Sequence, residues 1–224
     1  MGSESIEASF LSIFALISFF IFLIISKYSL RINKGVLLDN NFVKPQAFHK
    51  YPVTRSGGMG SIICLIIFFY FYYLLYGKIL YEYILISSSM FLIGFLDDLK
   101  INIKPSKRLL AMVFLLFIFI FFLPIKISNV DIQFLKFLMN SHLFSSIFVL
   151  LCFLFVINGA NLIDGFNGLL TINLIIINIV LIYINMNNDN LAFSILLISQ
   201  IIILLSFLLF NFPNAKIFLG DSGA

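Results

Sequence analysis

Seven long apolar runs limit what this chain can fold into more than any other feature of its sequence. Each run contains at most one charged residue, and together they cover residues 8–26, 58–76, 79–96, 109–125, 143–158, 169–186 and 191–210. A helix of roughly 20 apolar residues crosses the hydrocarbon core of a bilayer, and a helix satisfies its backbone amides within a single segment. The sequence therefore predicts an all-α, polytopic transmembrane helix bundle of about seven helices, with residues 1–224 forming a single integral membrane domain.

The composition excludes a water-soluble fold. Apolar residues make up 62% of the 224 residues and charged residues only 11%, whereas roughly a quarter of a soluble domain is charged. Such a chain cannot bury its apolar side chains without a lipid bilayer, which is therefore its first expected partner. The net charge of +4 does not indicate nucleic-acid binding, because the basic residues flank the apolar runs.

The distribution of basic residues predicts the orientation of the bundle. If the seven runs cross in alternation, one side collects eleven Lys and Arg residues and the other collects only Lys78, Lys126 and Lys136. Short loops rich in Lys and Arg stay in the cytoplasm, so the first side is predicted to be cytoplasmic and the N-terminus to lie outside. The first run follows Glu4 and Glu7 instead of basic residues, which favours a retained anchor over a cleaved signal peptide. The eleven residues are Lys27, Arg31, Lys34, Lys44, Lys50, Arg55, Lys100, Lys104, Lys107, Arg108 and Lys216.

Four polar motifs from distant parts of the chain fall on the predicted cytoplasmic face. They are HKYPVTRSGGMG (residues 49–60), FLDDLK (95–100), NGANLIDGFNG (158–168) and PNAKIFLGDSG (213–223). The connections at 128–131 and 185–190 on the opposite face resemble ordinary solvated turns. Convergence of four motifs on one face predicts a functional site there.

Carboxylates and amides dominate two of these motifs. The adjacent carboxylates of Asp97 and Asp98 are costly near lipid unless a cation compensates them, which favours a magnesium or acid–base site. The alternative is a charged pair that merely ends the third helix at the water boundary. Asn158, Asn161 and Asp164 recur every three residues and so lie on one side of the fifth helix end. A simple helix cap is the alternative here, although a cap requires only one such residue.

Glycines and basic residues complete the predicted site. Asp221 lies between glycine-rich residues that allow a phosphate or metal to approach, and a carboxylate is a natural oxygen ligand for Mg²⁺. Lys107 begins the fourth helix ten residues after Asp97, although it could equally be a flanking basic residue that only sets orientation. Together the motifs contain the parts that phosphoryl transfer requires, namely a metal site, a basic residue for a diphosphate, and carboxylates that handle protons.

These motifs resemble, in order and spacing, those of the polyprenyl-phosphate N-acetylhexosamine-1-phosphate transferases of glycosyltransferase family 4. The family includes undecaprenyl-phosphate N-acetylglucosamine-1-phosphate transferases and phospho-N-acetylmuramoyl-pentapeptide transferases, which start cell-envelope glycan synthesis. The resemblance implies an enzyme of the bacterial cytoplasmic membrane that moves a HexNAc-1-phosphate from a UDP-sugar to undecaprenyl phosphate and releases UMP. It also implies a requirement for Mg²⁺, with Mn²⁺ as an alternative metal. A homodimer is compatible with the resemblance.

The resemblance also implies roles for individual residues. Asn161 and Asp221 match the family's metal ligands, and Lys107 matches a diphosphate-binding lysine. Phe218 is implied to stack on the uracil ring, and Asn167 is implied to contact the same ring.

The remaining matches concern the chemistry and the first polar loop. The acidic pair is implied to activate the lipid phosphate or support the metal, without a decision on which carboxylate does which. The catalytic residues predicted in this way are Asp97, Asp98, Lys107 and Asp164. The residues that match the family's HxxPxxRxGG loop, and are predicted to bind substrate, are His49, Arg55, Gly57 and Gly58.

The chain departs from the family pattern in three places. Ile101 stands where many members have a third acidic residue, and Asn167 replaces the second acid of a DGxDG motif. The sequence ends at Ala224, whereas the family continues through several more helices and a late cytoplasmic loop. We therefore expect the full-length protein to contain further helices.

Two other functional classes remain as alternatives from the sequence. A multi-pass transporter with a cytoplasm-facing polar site would place polar residues at mid-bilayer depth, whereas this chain places them at helix ends. An inert assembly subunit would bind neither magnesium nor UDP-sugars. The sequence does not determine which amino sugar is transferred. The product could be the peptidoglycan lipid intermediate, while the spellings YPVTRSGG and DGFNG favour an enzyme for O-antigen or a related lipopolysaccharide polymer.

Overall fold

The computed structural model describes residues 2–32, 37–39, 52–99, 104–123, 127, 130–185 and 191–224. Within these residues the chain forms eight helices and one short antiparallel hairpin, which confirms the predicted all-α polytopic class. The hairpin consists of β1 (Leu38–Asp39) and β2 (Val53–Thr54). The helices are α1 (Gly2–Ile32), α2 (Gly57–Tyr76), α3 (Tyr81–Asp98), α4 (Pro105–Phe122), α5 (Gln133–Met139), α6 (His142–Ile163), α7 (Leu169–Asn185) and α8 (Leu191–Asn211).

Each of the seven predicted runs corresponds to one of these helices. Pro105 occupies the first turn of α4, four residues before the apolar run begins, because proline fits the start of a helix without losing a hydrogen bond. Gly77 ends α2 in the left-handed conformation, with φ +64° and its N–H donating to the Tyr73 carbonyl at 2.8 Å. The short helix α5 was not predicted, since seven residues are too few to produce a long apolar run.

Five of the described helices are long and apolar enough to cross a membrane, namely α1, α2, α4, α6 and α8. The predicted number was about seven. Of the other two predicted spans, α7 is apolar but has only 17 residues, and α3 carries three acidic residues among its 18. The helices expose large apolar side chains, such as Phe121 at 71% and Phe122 at 76%, which is the surface that a bilayer requires.

Helix α8 lies at the centre of one group of helices, packing against α7, α1 and α2, while α4 packs against α6 and α3. Aromatic side chains fill the space between α1, α2 and α8: the rings of Phe22 and Phe207 are 5.8 Å apart, and those of Phe14 and Phe68 are 5.7 Å apart. This packing brings the first turns of α2 and α4 and the last turns of α3, α6 and α8 to one end of the bundle. At the opposite end of α1 and α2, Tyr76 donates a hydrogen bond to Glu7 at 2.9 Å.

Candidate active site

Backbone hydrogen bonds fix the segment that follows α8, residues 212–224, against β2 and the start of α2. Ile217 forms a parallel bridge with Thr54 of β2, and the Phe218 N–H donates to the Thr54 carbonyl at 2.8 Å. The N–H groups of Gly57 and Gly58, at the start of α2, donate to the carbonyls of residues 218 and 219 at 2.8 Å each. The hairpin and the first turn of α2 therefore fix the path of the chain towards Asp221.

Gly57 and Gly58 pack against protein in this structure. A Cβ atom on Gly57 would lie 2.7 Å from the Phe218 carbonyl oxygen, and one on Gly58 would lie 2.6 Å from the Gly223 nitrogen. Both glycines are buried and their N–H groups are already bonded. The glycine pair thus allows the 218–223 segment to lie directly on α2, and substrate contact by these two residues stays a prediction.

Two arginines join four carboxylates into one cluster, called here the Asp–Arg cluster (Asp39, Arg55, Asp97, Asp98, Arg108 and Asp221). Arg55 Nη2 lies 2.8 Å from Asp39 Oδ2, and its Nη1 lies 3.3 Å from Asp221 Oδ2 and 3.6 Å from Asp98 Oδ1. Arg108 Nη1 lies 2.7 Å from Asp97 Oδ2 and 3.1 Å from Asp221 Oδ1. Among the described residues, four carboxyl groups therefore share two guanidinium groups.

Asp98 differs from Asp97 in its surroundings. The Asp98 side chain is fully buried, and its two oxygens accept the backbone N–H groups of Asp221 at 3.1 Å and Ser222 at 2.9 Å. The Asp97 side chain is 26% exposed and pairs with Arg108. The two adjacent carboxylates therefore face different environments.

Asn161 reaches the cluster from the last turn of α6. With its amide oriented to satisfy both neighbours, its nitrogen donates to Asp221 Oδ1 at 3.0 Å and its oxygen accepts from Arg108 Nη2 at 3.3 Å. The two residues predicted to bind a metal are thus brought together, although 60 positions separate them in the sequence.

Asp164 lies just past the end of α6, where burial is the main cause that raises the pKa of its carboxyl group to about 7. The nearby charges of Asp221 and Asp98 raise the pKa further, while Arg55 lowers it. A carboxyl group with a pKa near neutral can hold or release a proton under physiological conditions, which suits the predicted catalytic role.

This raised pKa predicts a pH-dependent stability in magnesium-free buffer. Because the folded state favours the protonated form of Asp164, its contribution to stability is full below about pH 4 and is lost as pH rises through about 7. Relative to Asp164→Asn, the wild-type melting temperature should therefore fall by at least about 3 °C between about pH 5 and pH 8. Circular dichroism of the detergent-solubilised proteins measures this difference, and parallel pH curves for the two proteins would contradict it.

Asn211, at the end of α8, connects two of the motifs but was not predicted. Its Oδ1 accepts the Gly168 N–H at 2.6 Å, and its Nδ2 donates to the Ile217 carbonyl at 2.9 Å. Its side chain therefore ties the loop after α6 to the segment that carries Asp221. The only sequence signal was a polar residue at the end of the last apolar run, which is a common way for a helix to end.

The sequence did not predict two charged residues of the Asp–Arg cluster, Arg108 and Asp39. It predicted Lys107 as a site residue, which lies outside the cluster. Arg108 lies in the cluster, whereas Lys107 is exposed, because successive residues on a helix point about 100° apart. Asp39 joins the cluster through the hairpin, and nothing in its local sequence distinguished it. Diphosphate binding by Lys107 stays a prediction.

The predicted nucleotide contacts are near the cluster but not part of it. Asn167 is partly buried and donates to the Pro213 carbonyl at 3.0 Å, and Phe218 is partly buried beside β2. Their contacts with uracil stay predictions. His49 lies outside the described residues.

Asp221 carries a carboxylate and Asn161 a side-chain amide, and Mg²⁺ prefers carboxylate and carbonyl oxygens as ligands. In the described part of the chain, no three His, Cys, Asp or Glu side chains form a metal cage by themselves. Mg²⁺ commonly keeps several waters and uses only one or two carboxylates together with substrate phosphates. Asp221 could supply the carboxylate of such a site, and Asn161 its amide oxygen once that oxygen turns from Arg108 towards the metal, because the Asn161 nitrogen faces Asp221 in this structure.

Comparisons with known proteins place these residues in a family. The family model described as glycosyl transferase family 4 matches residues 80–224. A phospho-N-acetylmuramoyl-pentapeptide-transferase from Dictyoglomus turgidum is 33% identical over 219 residues, which cover 94% of this chain and 68% of that protein. A protein of the same name from Clostridium perfringens is 34% identical over 140 residues, covering 59% of this chain and 44% of that protein. The chain thus matches about two thirds of the length of the Dictyoglomus protein and less than half of the length of the Clostridium protein.

Proposed function

Because the chain belongs to glycosyl transferase family 4, we propose that the complete protein transfers a HexNAc-1-phosphate from a UDP-sugar to undecaprenyl phosphate. The observation that carries this proposal is the convergence of Asn161, Asp221 and the Asp–Arg cluster at one end of an apolar helix bundle. The products are UMP and a lipid-linked sugar diphosphate.

The position of the cluster suits one lipid substrate and one soluble substrate. The phosphate of a polyprenyl phosphate lies at the membrane surface, and a UDP-sugar arrives from the aqueous phase. The two can therefore meet only where helix ends reach the surface, which is where α3, α4, α6 and the segment after α8 bring their polar residues. The eleven-to-three distribution of basic residues supports a cytoplasmic location for this end and an N-terminus outside.

In the proposed reaction an oxygen of the lipid phosphate attacks the donor phosphorus that carries the sugar, and the bond from that phosphorus to UMP breaks. Asp221 and Asn161 would hold Mg²⁺, which when bound offsets the negative charge of the donor diphosphate. Arg108 also contacts Asp221. Its guanidinium group would offer a second positive charge, next to the metal, to the negative charge that develops on the leaving phosphate. Asp97 presents a partly exposed carboxylate beside Arg108, in a position to orient the acceptor.

The names of the relatives favour one donor among several. Both relatives described above are phospho-N-acetylmuramoyl-pentapeptide-transferases, so we propose UDP-N-acetylmuramoyl-pentapeptide as the first donor to test. The motif spellings favoured O-antigen or a related polymer, and UDP-amino sugars of that kind are the donors to test second. The transporter alternative has no specific support, since the described ion pairs all gather at one end of the bundle.

An assay on the complete protein tests the reaction and its side of the membrane. Purified protein receives radiolabelled UDP-N-acetylmuramoyl-pentapeptide or UDP-N-acetylglucosamine, with undecaprenyl phosphate and Mg²⁺. We expect lipid-soluble label and equimolar UMP with at least one donor, and loss of both when EDTA removes the metal. In sealed vesicles, externally added donor should react in inverted membranes only. UMP release without lipid-soluble label, or no reaction with any UDP-amino sugar, would refute the proposal.

A further inference from the structure

We infer that Asp98 is a positioning residue, whose carboxylate fixes the turn at residues 220–222 so that the Asp221 side chain faces Asn161 and Arg108. This inference deepens the proposed function and rests on it for the role of Asp221. It assigns Asp98 a role different from the catalytic one predicted from the sequence, and it separates the roles of the two adjacent carboxylates.

The hydrogen bonds of Asp98 leave it little capacity to act on a substrate. Its Oδ1 accepts the Asp221 N–H at 3.1 Å, and its Oδ2 accepts the Ser222 N–H at 2.9 Å. Arg55 Nη1 adds a longer ionic contact at 3.6 Å. The side chain is 0% exposed, so a lipid phosphate could reach it only if the turn moved away.

The turn also fits closely against the last turn of α3. Gly220 has φ +77°, and a Cβ atom there would lie 2.7 Å from Asp98 Oδ2. Gly94 lies four residues before Asp98 and so on the same face of the helix. A Cβ on Gly94 would collide with the Asp221 carbonyl and lie 2.7 Å from the Ser222 Cα. Gly94, Asp98 and Gly220 therefore form a close-fitting seat for the backbone of Asp221.

This seat fixes the direction of the Asp221 side chain. Asp98 holds the backbone N–H of Asp221, and the Asp221 carboxylate then lies within 3.1 Å of Arg108 and 3.3 Å of Arg55. Residues that orient a metal ligand typically change metal affinity or activity by about 10- to 100-fold when replaced. Loss of the seat should therefore weaken metal use and leave recognition of the acceptor lipid largely intact.

The test compares Asp98→Asn with Asp97→Asn in the complete protein. Asparagine keeps the size of Asp98 but replaces one acceptor oxygen with an NH₂ group, which cannot accept a backbone N–H. Hydrogen–deuterium exchange of the peptide covering residues 217–224 reports on the turn without requiring turnover. The half-saturating Mg²⁺ concentration and the KM for undecaprenyl phosphate report on function. Gly220→Ala disturbs the same contact from the side of the turn, while residue 98 keeps its carboxyl group.

We expect Asp98→Asn and Gly220→Ala to speed exchange in this peptide and to raise the half-saturating Mg²⁺ concentration by about 10- to 100-fold. The acceptor KM should stay within about twofold, and Asp97→Asn should leave exchange unchanged. Unchanged exchange in Asp98→Asn would overturn the inference, as would a lost kcat with an unchanged Mg²⁺ requirement. If the wild-type protein transfers no sugar phosphate, the proposed function fails, while the exchange measurement still decides whether Asp98 holds the turn. If Asp98→Asn does not fold, Gly220→Ala decides by the same two measurements.

Discussion

Asp221→Asn in the complete protein should lower kcat by about a thousandfold or more while the protein remains folded and inserted in the membrane. Asp221 is the residue on which Asn161, Arg55 and Arg108 all converge, within 3.0–3.3 Å. Replacing its carboxylate removes the one charged ligand from the predicted metal pair. Metal stabilisation of a transferring phosphoryl group contributes several kcal/mol, which corresponds to such a loss in rate. Asn161→Ala should act in the same direction.

The measurement is radiolabelled transfer at saturating donor and Mg²⁺, with the melting temperature determined for each variant. Asp131→Asn is the matched control, because Asp131 is an exposed carboxylate outside the Asp–Arg cluster, and it should retain wild-type turnover. Near-normal turnover in Asp221→Asn would remove this residue from the site and with it the proposed metal pair.

Arg108→Gln should lower kcat by about 100-fold or more, and Arg108→Lys should recover part of that loss. The Arg108 guanidinium contacts Asp97 and Asp221 through the same nitrogen, at 2.7 and 3.1 Å. Arg108 is proposed to lie where leaving-group charge develops, and removing one preorganised donor from such a place typically costs about 10²–10³ in rate. Lysine restores the charge but has a single nitrogen, so it lacks the second guanidinium nitrogen that contacts the Asn161 amide oxygen.

The neighbouring residue provides the control for this prediction. Lys107 is exposed and lies outside the Asp–Arg cluster, so by this geometry Lys107→Gln should change kcat by less than about threefold, whereas the diphosphate-binding role predicted from the motif requires a larger loss. Equal losses in the two variants would mean that binding of substrate rearranges the start of α4. A large loss in Lys107→Gln alone would support the role that the family resemblance implies for Lys107.

Much of the fold could be predicted from the sequence. Runs of about 20 apolar residues have one stable state in a bilayer, so the helices agree with the predicted runs to within a few residues at most ends. The clustering of polar motifs followed from alternation: consecutive antiparallel helices return every second loop to the same face. The pairing of Asn161 with Asp221 was implied by the resemblance of their motifs to those of the family.

Side-chain direction at those helix ends was decided only by the tertiary structure. Asp97 and Asp98, like Lys107 and Arg108, are neighbours in sequence, and hydropathy does not distinguish one member of each pair from the other. Packing does: α3 lies against the turn at residues 220–222, so Asp98 turns inward and Asp97 faces Arg108. The same packing brings Asp39 to Arg55 and seats Gly57 on residue 218. Apolar patterning determines where the long helices form, because burial of apolar area needs no particular partner and is non-directional. Hydrogen bonds and ion pairs depend on distance and angle, so their partners are determined only once several distant segments have packed together.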